Sequence, residues 1–158
     1  MEFDRSLRAL CDHEVNFVVI GGLSAALHGS AHVTYDLAIC YSRGEVNLKR
    51  LATALAPFHP RPLGFPAELP FVWDEATLRN STVLTLTTDV GEIDLLAEVA
   101  GIGDWEKVRN EAILDEVFDR NFFILDLKSL IQAKRAAGRP KDLAVLPELE
   151  SLLEAGEP

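Results

Sequence analysis

Residues 16–41, NFVVIGGLSAALHGSAHVTYDLAICY, constrain the fold more than any other stretch, because two short apolar runs flank a helix built from small residues. Asn16 to Ile20 is apolar and largely β-branched, which predicts a buried strand. Gly21 and Gly22 follow, and only glycine lets a backbone turn so tightly while leaving its N–H groups open to a phosphate. Leu23 to His28 is then expected as one or two helical turns, stopped by Gly29. Tyr35 to Tyr41 is the second strand, and Asp36 lies inside it.

A lone carboxylate in an apolar strand is costly unless it is paired, so Asp36 asks for a partner such as a metal ion, or for backbone amides or Arg43. GEIDLLAEV, residues 91–99, repeats the design with Asp94. Side chains alternate faces along a strand, so Asp94 shares a face with Glu92, and Asp36 with Ala38 and Cys40. If the two strands lie side by side, the carboxylates converge near the glycine turn. VLTLTT, preceded by Thr82, alternates hydroxyl and aliphatic side chains, the pattern of a strand with one wet face. Asp89-Val90-Gly91 should turn it into the Asp94 strand as a hairpin.

Elsewhere the pattern is mainly of packing elements. Residues 3–13 carry Phe3, Leu7, Leu10 and Cys11 at helical spacing, and Glu45 to Ala56 has an apolar stripe with Lys49 and Arg50 outward. Arg43, just before that helix, can reach a phosphate or remain a solvated loop residue. Residues 57–73 hold five of the eight prolines and alternate them with Phe58, Phe65, Phe71 and Trp73. Proline removes backbone donors, so this is expected as an ordered connector outside the sheet. It suits either an acceptor-binding loop or, the preferred reading, a lid whose aromatics plug a core edge. Trp105 to Asn110 is expected as a short helix, and Ile113 to Val117 and Phe122 to Leu125 as two small strands. Asp126 should cap a helix over Leu127 to Ala137, ended by Gly138. Pro140 begins a last helix that Pro147 should kink or restart, and Glu154 to Pro158 is expected to fray.

The formal net charge of −10 argues against a general nucleic-acid coat protein. The charge is unevenly placed: Asp126 to Asp142 carries five basic and two acidic side chains, a net +3, leaving −13 on the remainder. Cys11 and Cys40 have no zinc-like or Cys-x-x-Cys spacing, which suits reduced thiols in the cytoplasm. The amino terminus lacks the pattern of a signal peptide, and no run approaches membrane-spanning length. Neither secretion nor a membrane partner is expected. His28 and His32 flank Gly29 without metal-ligand spacing and are expected to be structural.

The ordered set of strand, Gly21-Gly22, short helix, strand with Asp36 and later strand with Asp94 resembles the nucleotidyltransferase superfamily, whose simplest members share a core with polymerase beta. The thirteen residues between the glycine pair and Asp36 fit that family's signature. Thr34-Tyr35-Asp36-Leu37 and the closing KRAAGRPKDL, residues 134–143, more narrowly resemble its bacterial abortive-infection and toxin-like branch. The resemblance implies a single α/β (α+β) domain over residues 1–158, with a mixed central sheet flanked by helices and a helical carboxyl end. It implies transfer of a nucleoside monophosphate from a triphosphate to a hydroxyl acceptor, with Mg2+ as cofactor. Asp36 and Asp94 would be the metal ligands, Asp94 would also take the hydroxyl proton, and Lys134 and Asp142 would complete the catalytic set. Gly21, Gly22, Ser24 and Arg139 would bind the nucleotide, although Ser24 also suits a helix surface and the basic residues a solvated helix end. In that branch the acceptor is the end of transfer RNA, with a cognate antitoxin as partner; in other branches it is a protein side chain or an aminoglycoside.

Two positions depart from the family pattern. The second acidic residue of its Asp-x-Asp pair is Ala38, which offers no oxygen to a metal, and His32 stands where the branch often has arginine. Glu92 is a candidate for the missing oxygen. The expectation is therefore an impaired nucleotidyltransferase, with a catalytically inactive nucleotide-binding or interaction module as the alternative.

Overall fold

The computed structural model describes residues 1–156. Nine strands and seven α-helices follow one another among these residues. In chain order they are α1 (Phe3–Asp12), β1 (Phe17–Ile20), α2 (Gly21–Leu27), β2 (Asp36–Tyr41), α3 (Glu45–Leu55), β3 (Arg61–Pro62) and α4 (Glu75–Arg79). There follow β4 (Val83–Thr88), β5 (Gly91–Leu96), β6 (Glu98–Val99), β7 (Gly103–Asp104) and α5 (Trp105–Asn110). The chain closes with β8 (Ala112–Val117), β9 (Arg120–Leu125), α6 (Leu127–Ala137) and α7 (Pro140–Gly156).

Seven strands form one mixed sheet in the order β3-β4-β5-β2-β1-β9-β8. Its centre is β2, antiparallel to β1 and parallel to β5. The period-2 alternation of each strand sorts its side chains into two layers. On one face, Phe17, Val19, Leu37, Ile39, Tyr41, Ile93 and Leu95 pack with Leu7 and Leu10 of α1, Leu48, Leu51 and Leu55 of α3, and Leu78 of α4. On the other, Val18, Ile20 and Cys40 pack with Val108 of α5, Leu130 and Ile131 of α6, and Leu146 and Leu149 of α7. Leu7, Leu10, Leu51 and Leu55 have no exposed surface, and each such leucine contributes about 2 kcal/mol by leaving water.

Most expected elements form within a residue or two of their predicted ends, and the exceptions have local causes. The glycine pair is not a separate turn before the helix: α2 begins at Gly21 itself, with φ of +68° there. The proline-rich connector does join the sheet. Arg61 and Pro62 pair with Thr87 and Leu86 as an edge strand, where a missing proline N–H costs no ladder bond. The 91–99 run is not one strand, since β5 ends at Leu96 and Glu98–Val99 turns away to pair with Gly103–Asp104. Nor does Pro147 restart the last helix, because α7 runs unbroken from Pro140 to Gly156. The carbonyl that its ring leaves unpaired belongs to Leu143, which is exposed and can be hydrated. The expected fraying of 154–158 does not hold through Gly156, and residues 157 and 158 lie outside the described part. Helix α4, unanticipated, is capped by Asp74, whose carboxylate accepts from the Ala76 and Thr77 amides.

Two polar clamps fix the approaches to β2. Arg43 neither reaches for a phosphate nor floats in solvent: its guanidinium donates to Tyr41 Oη at 2.7 Å and to the carbonyls of Leu78, Arg79 and Ser81 at 2.8–3.0 Å. It thereby satisfies carbonyls at the C-terminal end of α4, where a cation also suits the helix dipole. Before β2, Glu148 of α7 accepts from the Ser30 hydroxyl, from the Ala31 amide at 2.9 Å and from His32 Nδ1 at 3.0 Å. These bonds hold the Glu148 carboxyl down at about 2. His28 is likewise structural, with Nε2 2.8 Å from the Leu125 carbonyl oxygen.

Replacing Arg43 by alanine strands three carbonyls and the Tyr41 hydroxyl at once, so Arg43→Ala should cost about 2 kcal/mol and lower the melting temperature by roughly 4–8 °C in thermal denaturation. Glu148→Gln should lower stability at pH 7. Because the folded-state pKa of Glu148 is depressed, its contribution is present above the ordinary glutamate value and lost as pH falls towards about 2. Urea titrations of parent and variant should therefore differ at pH 7 and converge across that acid window.

Candidate active site

The parallel pairing of β2 with β5 sets Asp36 opposite Glu92 and Ala38 opposite Asp94, and the antiparallel pairing of β4 sets Thr85 opposite Asp94. Directly paired residues project to the same side of a sheet, as do residues two apart. Asp36, Ala38, Asp94, Thr85 and Glu92 therefore share one face, the one that α5, α6 and α7 partly cover.

That face opens into a cavity of about 290 Å³ lined by Gly21, Ala38, Thr85 and Asp94 from the sheet side and by Lys134, Arg139 and Asp142 from α6 and the start of α7. Gly21 contributes because its positive φ brings the backbone over β2: a Cβ built on it would lie 3.4 Å from the Ala38 Cβ. Gly22 does not line the cavity. A Cβ there would come within 2.6 Å of Thr34 Oγ1, so its absence lets α2 sit against the segment leading into β2.

Asp36 and Asp94 lie on neighbouring strands and the same face, one register step of two residues apart. Burial is the main cause that pushes Asp94 above the ordinary carboxylate range; its hydrogen bond with Asp36 and the negative charges of Asp36 and Glu92 add to it, while a bond from Thr85 opposes them. Glu92 is exposed at the strand end and is not among the cavity-lining residues. Arg43 does not neutralise Asp36, since its guanidinium is committed to Tyr41 and to the carbonyls around α4.

Opposite the carboxylates stands a basic wall. Asp142 is only 1% exposed and holds four donors: Arg139 Nε at 2.7 Å, Arg139 Nη2 at 3.2 Å, the Arg139 amide at 3.2 Å and Lys134 Nζ at 3.5 Å. Burial alone would raise its carboxyl, but the Arg139 bond and the Lys134 and Arg139 charges outweigh that and hold it below the ordinary value. Asp142 thus caps α7 and aims two cations, one of them the 60%-exposed Arg139, which also feels the fields of Asp94 and Asp36.

Of the residues picked out in the sequence, Gly21, Asp94, Lys134, Arg139 and Asp142 line one cavity, with Asp36 beside Asp94. Ser24 does not join them: it is fully buried, and its hydroxyl donates to the Leu125 carbonyl at 3.1 Å, which removes it from any phosphate. Thr85 was legible only as part of a wet strand face; its place on Asp94 depends on the hairpin register.

The donor set fits one hard cation rather than two. Two carboxylates and a threonine hydroxyl share the face, and Mg2+ is commonly held by one or two carboxylates with the rest of its shell from water and substrate phosphates. A second ion would need the oxygen that Ala38 lacks. Among the described residues no three His, Cys, Asp or Glu side chains form a metal-holding group.

No helix among the described residues is long and apolar enough to cross a membrane. No family model matches the chain, and no curated protein matches it. Among solved structures, a protein of Thermotoga maritima provisionally named a nucleotidyltransferase superimposes with a TM-score of 0.60 at 19% identity. The match covers 95% of this chain and 93% of that one. The mixed seven-stranded sheet, its flanking helices and its helical carboxyl end accordingly form a nucleotidyltransferase-type fold.

Proposed function

We propose that this chain binds a nucleoside triphosphate with Mg2+ and transfers the nucleotidyl group to a hydroxyl, at a rate much reduced by Ala38. The observation that carries the reading is the opposition, across one cavity, of the Asp36–Asp94 pair and the Lys134–Arg139 wall.

Lys134 and Arg139 offset the charge of the triphosphate, and the backbone at Gly21 adds N–H donors at the cavity wall. Asp142 touches no substrate; it positions the two cations. Asp36 and Asp94 would hold one Mg2+, which when bound offsets charge on the transferring phosphoryl group. The acceptor oxygen forms the new bond to the α-phosphorus as the bond from that phosphorus to the β-bridging oxygen breaks. Pyrophosphate leaves with that electron pair, and the hydroxyl proton passes to the Asp94 carboxylate.

A second reading rests on Ala38 itself: with its methyl where a third carboxylate would stand, the chain serves as a nucleotide-binding module without transfer. Loss of one such ligand costs on the order of a thousandfold in rate, about 4 kcal/mol. The deciding assay is Mg2+-dependent transfer from labelled ATP, CTP, GTP and UTP to transfer RNA and to protein, run on the parent and on Ala38→Asp. The transferase reading expects weak transfer by the parent and a rise of on the order of a thousandfold in Ala38→Asp. Triphosphate-induced thermal stabilisation without transfer by either form would favour the binding module, and neither stabilisation nor transfer would overturn both. A cognate antitoxin would be sought only if transfer RNA is labelled.

Asp94→Asn should raise the melting temperature of the ligand-free protein by a few degrees at pH 8. The folded-state pKa of Asp94 is raised, so the parent loses stability as pH rises through it, whereas below the ordinary carboxylate range the two should melt alike. The same substitution should abolish Mg2+-dependent stabilisation by nucleotide, which thermal shift with and without EDTA reads directly.

A further inference from the structure

Strands β1 and β9 pair only through Val18–Phe123 and Val19–Ile124, so ahead of Val18 the two chains part. The gap lies at the end of β1 away from Gly21, between the end of α1 and the side of α5, and it holds a separate cavity of about 150 Å³. Trp105 and Arg109 line it from α5, where a spacing of four residues puts them on one helix face, and Phe123 lines it from β9. Phe17 and Phe122, whose ring centroids stack 6.1 Å apart, also line it, as does Cys11. Burial pushes the Cys11 thiol up from its ordinary pKa, so this wall is neutral at pH 7. Arg109 is the exception among the arginines. Every other one donates to a protein oxygen. Arg109 has neither an ion pair nor a hydrogen bond among the described residues, and its guanidinium rests 3.5 Å from the centroid of the Phe123 ring. The acid at the end of α1, Asp12, is taken by Arg120 at 2.7 Å.

We propose that this second cavity binds a monocyclic aromatic carboxylate, with its ring among Trp105, Phe122 and Phe123 and its carboxylate on the Arg109 guanidinium. The site is distinct from the cavity around Asp94 and does not depend on the transferase reading. Size sets the ring. An apolar cavity of about 150 Å³ holds one benzene ring, and aromatic walls favour a further ring packed edge-to-face or offset against them. Charge sets the carboxylate. A guanidinium presents five donors and accepts nothing, so a half-buried one left without protein oxygens suits a planar anion that takes two N–H groups at once. The chain carries 25 Asp and Glu against 15 Lys and Arg, yet it spends none of those acids on Arg109. Contact with the Phe123 ring places the guanidinium before a ligand arrives, which lowers the ordering cost of binding. Inorganic phosphate fits poorly. Arg109 is the one charged group lining the cavity, and a second negative charge would lose its hydration against aromatic walls.

The test is a titration of the full chain at pH 7 with benzoate, with its neutral counterpart benzamide and with inorganic phosphate. The readout is the indole N–H resonances of the two tryptophans in proton–nitrogen correlation spectra, assigned with Trp105→Phe. Benzoate is expected to shift the Trp105 resonance with a Kd on the order of 1 mM or tighter. The Trp73 resonance, whose N–H is bonded to the Ala52 carbonyl at 2.8 Å, should stay in place as an internal control. Benzamide should bind about tenfold more weakly or worse, and phosphate should shift neither resonance. Arg109→Gln, which breaks no hydrogen bond within the protein, should weaken benzoate by about tenfold or more. No shift of Trp105 at about 10 mM benzoate, equal binding of benzamide, a matching shift by phosphate, or an unchanged benzoate affinity in Arg109→Gln would each overturn the assignment.

Discussion

The pairing of β2 with β5 is the contact on which the site depends. A parallel ladder in this register places Ala38 beside Asp94 and Asp36 one pleat away, so two like charges share a face that is largely apolar elsewhere. Like charges so placed oppose folding, and the protein offsets them with the leucine-rich packing of both sheet faces and with Arg139 across the cavity.

Much of this arrangement was legible in the chain itself, for identifiable reasons. Apolar runs bounded by glycine and caps fixed the strands and helices near the site, and the alternation around Asp36 and Asp94 fixed which neighbours share their face. The Asp126 cap and Gly138 stop marked α6 to the residue, because both signals are local and nothing in the tertiary packing competes with them. What escaped needed partners distant in sequence. Ser24 has the same local signature whether it faces solvent or the Leu125 carbonyl, 101 residues away. Arg43 finds its acceptors on α4, an element whose five residues carry too little periodicity to announce themselves. Thr85 acquires meaning only once the hairpin register is known.

The glycine pair shows how one short motif serves two needs. Gly21 is required by its positive φ and its approach to Ala38, and Gly22 by the close passage of Thr34. The first borders the cavity and the second does not, so Gly22 is a packing device alone. The basic wall has the same double nature. Its guanidinium and ammonium are oriented by a carboxylate that is itself nearly inaccessible, so the wall is shaped before any anion arrives.

Helix α7 grips the molecule at two points, through Asp142 at its first turn and through Glu148 a turn and a half later. The first grip holds the cations of one wall, and the second holds the stretch of chain that delivers Asp36 to the other. This terminal segment is therefore a crossbar and not an appendage. A sideways slip of it would displace both sides of the cavity together, so their spacing is set by one helix.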